Sequence, residues 1–380
     1  MPDVYINDIS VSLPGPPIDN DEMEAVLGQI GNAPSRSRRI VLRSNGIKSR
    51  HYVIDKTTRT ITANNAQLTA QAIRGLEQGH INLDAIEILA CGTSSPDLLN
   101  PNHALMTQGE LGMHPCETIA TSGICLSGVT ALKTAFLAIK SGEHTRGIAT
   151  GSEVASLALK AENYTQESSS EDLMKRPELA FGKDFIRWML SDGAGAMLLS
   201  DQPNAEKPSL RIAWIDILSY AGEMEGCMYW GGIKQADGSL KGWREFPLKQ
   251  ACSDQNMFAV EQDVKLLNEN IVEYTVTKPL KTLIPKRNLN IDDIDLFLPH
   301  YSSLFFRDKM AEGLVRAGLP IPMEKSFTNL STKGNTGAAS IYIILEELFN
   351  TQPLHPGQKI LCFIPESGRF STAFMMLEVV

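Results

Sequence analysis

Three side chains have the types and neighbours needed for covalent carbonyl chemistry: Cys125, His300 and Asn335. Cys125 lies in Ser122-Gly-Ile-Cys-Leu-Ser-Gly, crowded on both sides by small residues. Leu126, Val129, Leu132, Phe136 and Ile139 then recur at helical spacing, so a buried helix starts at or near the cysteine. A thiol at that end of a helix sits in its positive field, which favours thiolate. The glycines let backbone and substrate approach closely. An inert buried cysteine has the same local look, since free Cys is among the most buried residue types. His300 follows Phe297-Leu-Pro, a position where structural histidines are common, and Asn335 between Gly334 and Thr336 suits a turn. Taken together the three fit thioester chemistry. A thiolate attacks the carbonyl, and imidazole and amide hold an enolate oxygen. Cys, then His, then Asn is also the chain order of papain-like proteases, whose framework is not the one read here.

That framework is an internal duplication. Ile81-Asn-Leu-Asp-Ala-Ile-Glu-Ile-Leu-Ala reads as a strand with an acidic lead-in, and the phrase returns 208 residues on as Leu289-Asn-Ile-Asp-Asp-Ile-Asp-Leu-Phe-Leu. Helix-like stretches precede both, Thr60 to Gly79 and Val264 to Leu283. Cys125 lies 35 residues after Ala90, and Asn335 lies 37 residues after Leu298. The Asn335 loop again opens an apolar helix through Ile341, Ile344, Leu345 and Leu348. Each half closes with a glycine-interrupted strand, Arg146-Gly-Ile-Ala-Thr-Gly-Ser and Lys359-Ile-Leu-Cys-Phe-Ile-Pro-Glu-Ser-Gly. Strands alternating with helices imply sheets with helices packed on them, in two related halves, 1–200 and 201–380. A pseudo-twofold relation can bring the Cys125, His300 and Asn335 loops together where the halves meet. Two stretches stand outside the repeat, the polar Leu157 to Arg187 and the glycine-, methionine- and aromatic-rich Ala221 to Gly238. Both are expected to cover or wall the site; a mobile surface loop is the other reading of the second.

Composition narrows the partners. With 380 residues, 43% of them hydrophobic and 21% charged, the chain is ordinary for a globular protein. A net charge of −9 argues against nucleic acid as the main partner. No apolar run is long enough to span a membrane, and Met1 to Asp8 has no basic, apolar leader, so the cytoplasm is the expected location. The six cysteines form no Cys-x-x-Cys pair, which argues against a zinc site or a disulfide framework. Arg36 to Arg50 holds six basic residues and no acid, a local anomaly that is most simply a solvated face.

At these motifs the chain resembles the thiolase-fold condensing enzymes, most closely β-ketoacyl-acyl-carrier-protein synthase III. The resemblance rests on the Cys125 loop, Leu298-Pro-His300, Lys333-Gly-Asn335-Thr-Gly-Ala-Ala-Ser, Ser191-Asp-Gly-Ala-Gly-Ala and the Gly-Thr-Ser-Ser-Pro-Asp turn from Gly92. It implies a layered α-β-α-β-α thiolase-like fold and a homodimer. It also implies Cys125 as acyl acceptor, with His300 and Asn335 driving decarboxylation and enolate stabilisation. The backbone N–H groups of Cys125 and Gly368 would form an oxyanion hole. No cofactor is implied beyond the phosphopantetheine of acyl carrier protein or coenzyme A that carries each substrate.

Departures from the family pattern bear on the substrate. The glycine-rich C-terminal loop is Pro365-Glu-Ser-Gly-Arg-Phe-Ser, Pro-His-Gln-Ala-Asn is Pro299-His-Tyr-Ser-Ser, and Arg-Thr-Gly-Ile is Ser44-Asn-Gly-Ile. Asn100 matches a bulky residue lent across the dimer into the acyl pocket. Ile40 matches a tryptophan that stacks on adenine of coenzyme A, and Phe305 an arginine near the catalytic histidine. These changes are similar to those in ketosynthases of secondary metabolism, including ketosynthase/cyclases that make dialkylcyclohexanediones. Ile40 in place of the tryptophan, together with the basic segment, favours acyl carrier protein as donor, docking on Arg36, Arg38, Arg39 and Arg43. Phe305 cuts the other way by removing one docking charge, for which Arg307 and Lys309 compensate in part. An ester- or amide-forming acyltransferase on the same scaffold is the second functional class, and a non-catalytic partner subunit the third. Asn335 favours condensation over the second, and the complete trio argues against the third.

Overall fold

A computed structural model describes every residue except 31–33, 36, 165–184 and 255–256. Nine strands form the main sheet: β1 (Tyr5–Ser12), β2 (Ile88–Thr93), β3 (Glu117–Ser122), β4 (Arg146–Glu153), β5 (Gly193–Ser200), β6 (Leu210–Ser219), β7 (Leu296–Pro299), β8 (Lys359–Glu366) and β9 (Ser371–Val379). Their order is β7-β8-β9-β6-β1-β5-β4-β2-β3. Strand β1 meets β6 through only two residue pairs, Tyr5 with Arg211 and Ile6 with Leu210. The sheet is therefore two sheets joined at a narrow seam. In the first, β2 runs parallel to β3 and β4, and β5 returns antiparallel. In the second, β7 runs parallel to β8, and β9 returns antiparallel. Among the described residues the second repeats the first without a counterpart of β3.

Side-chain alternation along the strands builds the layers. Ala90 of β2 faces one cluster, while its neighbours Leu89 and Cys91 face another. On β8, Ile360, Cys362 and Ile364 face inward and Leu361 and Phe363 outward. The shared inner cluster contains α4 (Leu126–Ser141) and α8 (Ser340–Thr351), the helices that follow the Cys125 and Asn335 loops. On the outer face of the first sheet lie α2 (Asn65–Arg74) and α3 (His103–Leu111). The outer face of the second carries α5 (Val264–Val272), α6 (Lys278–Arg287) and α7 (Arg307–Ala317). Five layers result, helix-sheet-helix-sheet-helix, as expected. Helix α1 (Arg38–Asn45) packs at the edge of the second outer cluster through Val41.

The strand boundaries differ from the sequence expectation in the same way in both halves. Leu83–Ala85 and Ile291–Asp293 are single 3₁₀ turns, and the strands begin only at Ile88 and Leu296. The cause is a side-chain cap: Asn82 accepts from Asp84 N–H and Asn290 from Asp292 N–H, each at 3.2 Å. Asparagine competes for the backbone there and delays the ladder. Val264 to Leu283 is helical throughout but carries a π-helical turn at Glu273–Thr277 between α5 and α6.

Candidate active site

Cys125 caps α4 with helical backbone angles, and Gly123 before it has φ +154°. Backbone contacts set the loop's place. A Cβ on Gly92 would stand 2.2 Å from Ser127 O, and one on Gly128 would stand 2.2 Å from Ala338 O. Only glycine permits these approaches. The Asn335 loop is pinned to Leu190 as a one-residue parallel bridge: Asn335 N–H donates to Met189 O at 3.1 Å, and Asn335 O accepts from Ser191 N–H at 2.8 Å. Asn335 Oδ1 accepts from Gly337 N–H at 2.9 Å, which leaves the amide NH₂ as the free end of the side chain among the described residues.

Cys125, Asn335 and Gly368 line one cavity of about 540 Å³. Its far wall is apolar: Met189, Leu190, Met228, Tyr229, Trp230, Leu240, Val260 and Leu267. The stretch from Ala221 to Gly238 thus walls the site as expected. It is fixed by short paired strands, Met228–Tyr229 with Glu261–Gln262 and Gly232–Lys234 with Leu240–Gly242. Of the other insertion, Ala158 and Phe185 line the cavity, and 165–184 lies outside the described residues. His300 is not part of that lining. It is 2% exposed at the end of β7, its N–H bonded to Phe363 O at 2.8 Å. Its Nε2 is buried and has no hydrogen-bond partner among the described residues, and burial pushes its pKa down to about 4, so the ring is neutral. Ser302, two residues on, does line the cavity.

The expected thiolate is not what the geometry favours. Burial raises the Cys125 thiol pKa, and the carboxylates of Glu366 and Glu153 add to the rise. Glu366 takes the helix N-terminus for itself: Ile124 N–H and Leu126 N–H both donate to its Oε2 at 3.2 Å. These two acids, both in the cavity wall, were the residues that motif reasoning missed. Glu366 was visible only as a departure in the Pro365-Glu-Ser-Gly loop. Glu153 is held by the turn that follows Gly92: Ser94 Oγ donates to its Oε1 at 2.7 Å, Ser95 Oγ donates to the same oxygen, and Ala338 N–H donates to Oε2 at 3.3 Å.

The basic segment divides. Arg39 and Arg43 are exposed, as is Ile40, and Arg36 lies outside the described residues. Arg38 does not belong to the free surface: its guanidinium bonds Asp21 and Asn20 O, lies 3.5 Å from Glu24 and covers the Trp188 ring at 5.5 Å. Arg50 is fully buried and bonds Trp188 O and Asn20 Oδ1. Asn100 is exposed and is not in the lining of this chain's cavity.

Comparison with known proteins agrees with this architecture. Residues 284–369 match the family described as 3-oxoacyl-[acyl-carrier-protein] synthase III C terminal. The chain is 26% identical over 342 residues to β-ketoacyl-[acyl-carrier-protein] synthase III of Koribacter versatilis, covering 88% of each. Among solved structures, AbyA1, a tetronic acid condensing enzyme, superposes with a TM-score of 0.74 at 21% identity, covering 99% of both chains. Xanthomonas campestris OleA superposes with a TM-score of 0.76 at 18% identity, covering 99% of this chain and 98% of that one. The fold is thiolase-like. The sequence is similar to a β-ketoacyl-[acyl-carrier-protein] synthase III over most of its length, and the thiolase-like duplication accounts for the paired helices α4 and α8 behind the Cys125 and Asn335 loops.

Proposed function

We propose that the protein is a ketosynthase. It loads an acyl group from a thioester onto Cys125 and joins it, by Claisen-type condensation, to a second thioester on acyl carrier protein. One observation carries this: Cys125, Asn335 and Gly368 share one largely apolar cavity, and among the described residues the neutral His300 keeps a ring nitrogen unpaired. An acyl chain fits the Met228, Trp230 and Leu240 wall. The N–H groups of Cys125 and Gly368 have no partner among the described residues, which suits an oxyanion hole. His300 and the Asn335 NH₂ would hold the enolate oxygen of the second substrate.

The free edge of β3 and the exposed Leu98, Leu99 and Leu105 near Asn100 support a homodimer built along that edge. Arg39, Arg43 and Lys48, with Arg307 beside the exposed Phe305, are the remaining surface for an acidic carrier. Work in secondary metabolism, with ring closure to a cyclohexanedione, is the finer proposal. The likeness to a tetronic acid condensing enzyme and the altered C-terminal loop support it. The test is turnover of a carrier-bound acyl pair: a product that joins the carbon skeletons of both acyl groups, less the hydrogen or carbon dioxide displaced in the condensation, is expected and is lost in Asn335→Ala. Release of an ester or amide with no new carbon–carbon bond would establish the acyltransferase alternative instead.

A further inference from the structure

Two carboxylates close the polar end of the cavity, and the condensation just proposed gives neither a task. Glu153 is saturated by Ser94, Ser95 and Ala338 N–H, so it holds three loops together. Glu366 differs. Its Oε2 is clamped by the N–H groups on either side of residue 125, which ties the carboxylate to the peptide that carries the thiol. Its Oε1 accepts no hydrogen bond from the described residues. That oxygen would stand 3.1 Å from a Cβ on Gly368, on the proposed oxyanion side.

No lysine or arginine among the described residues pairs with either acid. Arg369, the nearest cation along the chain, gives its Nε and Nη2 to Met224 O. The other titratable groups at this end are Cys125, Glu153 and the neutral His300 of the adjacent strand. A buried thiol between two acids does not ionise unaided, so its proton has to move to a neighbour as the sulfur attacks.

We propose that Glu366 is the base that takes the Cys125 proton during acyl loading. The step builds on the loading reaction proposed above. As the Sγ–carbonyl bond forms, the proton passes to Oε1 and the carbonyl oxygen becomes the oxyanion. Collapse breaks the bond to the carrier sulfur, which leaves as thiolate and recovers the proton from Glu366, so carboxylate and thiol products balance. Burial also raises the Glu366 pKa, which makes it a stronger base than an exposed glutamate.

Charge repulsion and proton transfer have opposite signatures in Glu366→Gln, a change that keeps an oxygen acceptor for Ile124 and Leu126 N–H. Were Glu366 only a repelling anion, its loss would lower the thiol pKa and hasten every reaction of Cys125. A missing base slows them, by about 10²–10⁴-fold for general-base catalysis. The measurement is the rate of carbamidomethylation of Cys125 by iodoacetamide over roughly pH 5 to 9. Single-turnover acylation by an acyl-coenzyme A runs alongside, and intact mass is the readout for both. Slower alkylation in Glu366→Gln, partly restored in Glu366→Asp, is expected; alkylation at or above the wild-type rate overturns the assignment. If Glu366→Gln does not fold, Glu366→Asp is read alone: slowed alkylation supports the base, and unchanged alkylation overturns it. Iodoacetamide needs no thioester, so a Cys125 that alkylates through Glu366 yet never accepts an acyl group sinks the ketosynthase proposal and leaves the base in place.

Discussion

Gly128→Ala tests whether the nucleophile and the Asn335 loop are held together by backbone contact. Gly128 lies in the first turn of α4, three residues beyond Cys125. An added Cβ would stand 2.2 Å from Ala338 O and 3.1 Å from Tyr342 Cε2. Carbon–oxygen contacts normally begin near ~3.3 Å, so helix and loop must part by about 1 Å. The hydrogen bond from Tyr342 Oη to Gly128 O, 2.8 Å long, crosses the same seam and is strained with it. Overpacking costs about 1–3 kcal/mol, and the upper end applies because the obstacle is a backbone oxygen rather than a side-chain tip. At about 2–4 °C per kcal/mol for a large domain, the melting temperature should fall by roughly 6–12 °C. A displacement of about 1 Å at a reacting group costs on the order of 10² in rate, so acylation of Cys125 should slow by that factor. Calorimetry and single-turnover mass spectrometry measure the two effects. Gly109→Ala is the control: it lies exposed in α3 with nothing within 4 Å of its Cβ, and should gain about 0.5–1 kcal/mol. A Gly128→Ala protein with wild-type melting and wild-type acylation would refute the contact as the device that places Cys125.

Three further outcomes are expected. His300→Ala and Asn335→Ala should still load acyl groups on Cys125 but condense about 10²–10³-fold more slowly, measured as product per acylated enzyme; equal loss in both steps would count against the division of labour. His103 is buried, with its pKa pushed down to about 4, so the unfolded chain binds its proton more readily and stability falls as pH drops from about 6.5 towards 4. Asp192, pushed up to about 7, acts in the opposite direction over much of that range, so the quantity to compare is the difference between wild type and His103→Asn. Denaturant titrations should show the slope reduced by up to about 3 kcal/mol across the window, and an unchanged slope would contradict a neutral buried His103. Arg39→Glu with Arg43→Glu should depress turnover of carrier-bound donors and its salt dependence while sparing coenzyme A donors; equal loss with both donors would return the segment to a role in stability.

Much of the fold could be read from the chain because the duplication repeats both a phrase and a spacing. The Asn-x-Asp turns at Asn82 and Asn290 recur with their caps, and the Cys125 and Asn335 loops each open a helix of the shared inner layer. Strand starts were misplaced because capping by asparagine is a local competition that apolar alternation does not reveal. The sheet order was also beyond reach, since pairing of β1 with β6 is fixed by tertiary packing. Within the site, residue types singled out Cys125, His300 and Asn335, and the family resemblance added Gly368; Cys125, Asn335 and Gly368 line one cavity, and His300 does not. The charge state of the thiol was misjudged for a physical reason: the positive end of α4 is already occupied by Glu366, a residue 241 positions away that only the fold brings there. Arg38 likewise reads as surface charge until Asp21, Glu24 and Trp188 are seen around it.

The central claim, that Cys125 is the acyl acceptor of a condensing enzyme, is tested most directly by the mass of the intact protein. The protein is mixed with a panel of acyl-carrier-protein and acyl-coenzyme A thioesters, quenched and digested to locate any adduct. A single acyl increment on the peptide containing Cys125, absent in Cys125→Ala and lost when a second carrier-bound thioester is added, is the predicted result. An increment on Cys91, Cys116, Cys227, Cys252 or Cys362, or one on Cys125 that no second thioester can discharge, would contradict it.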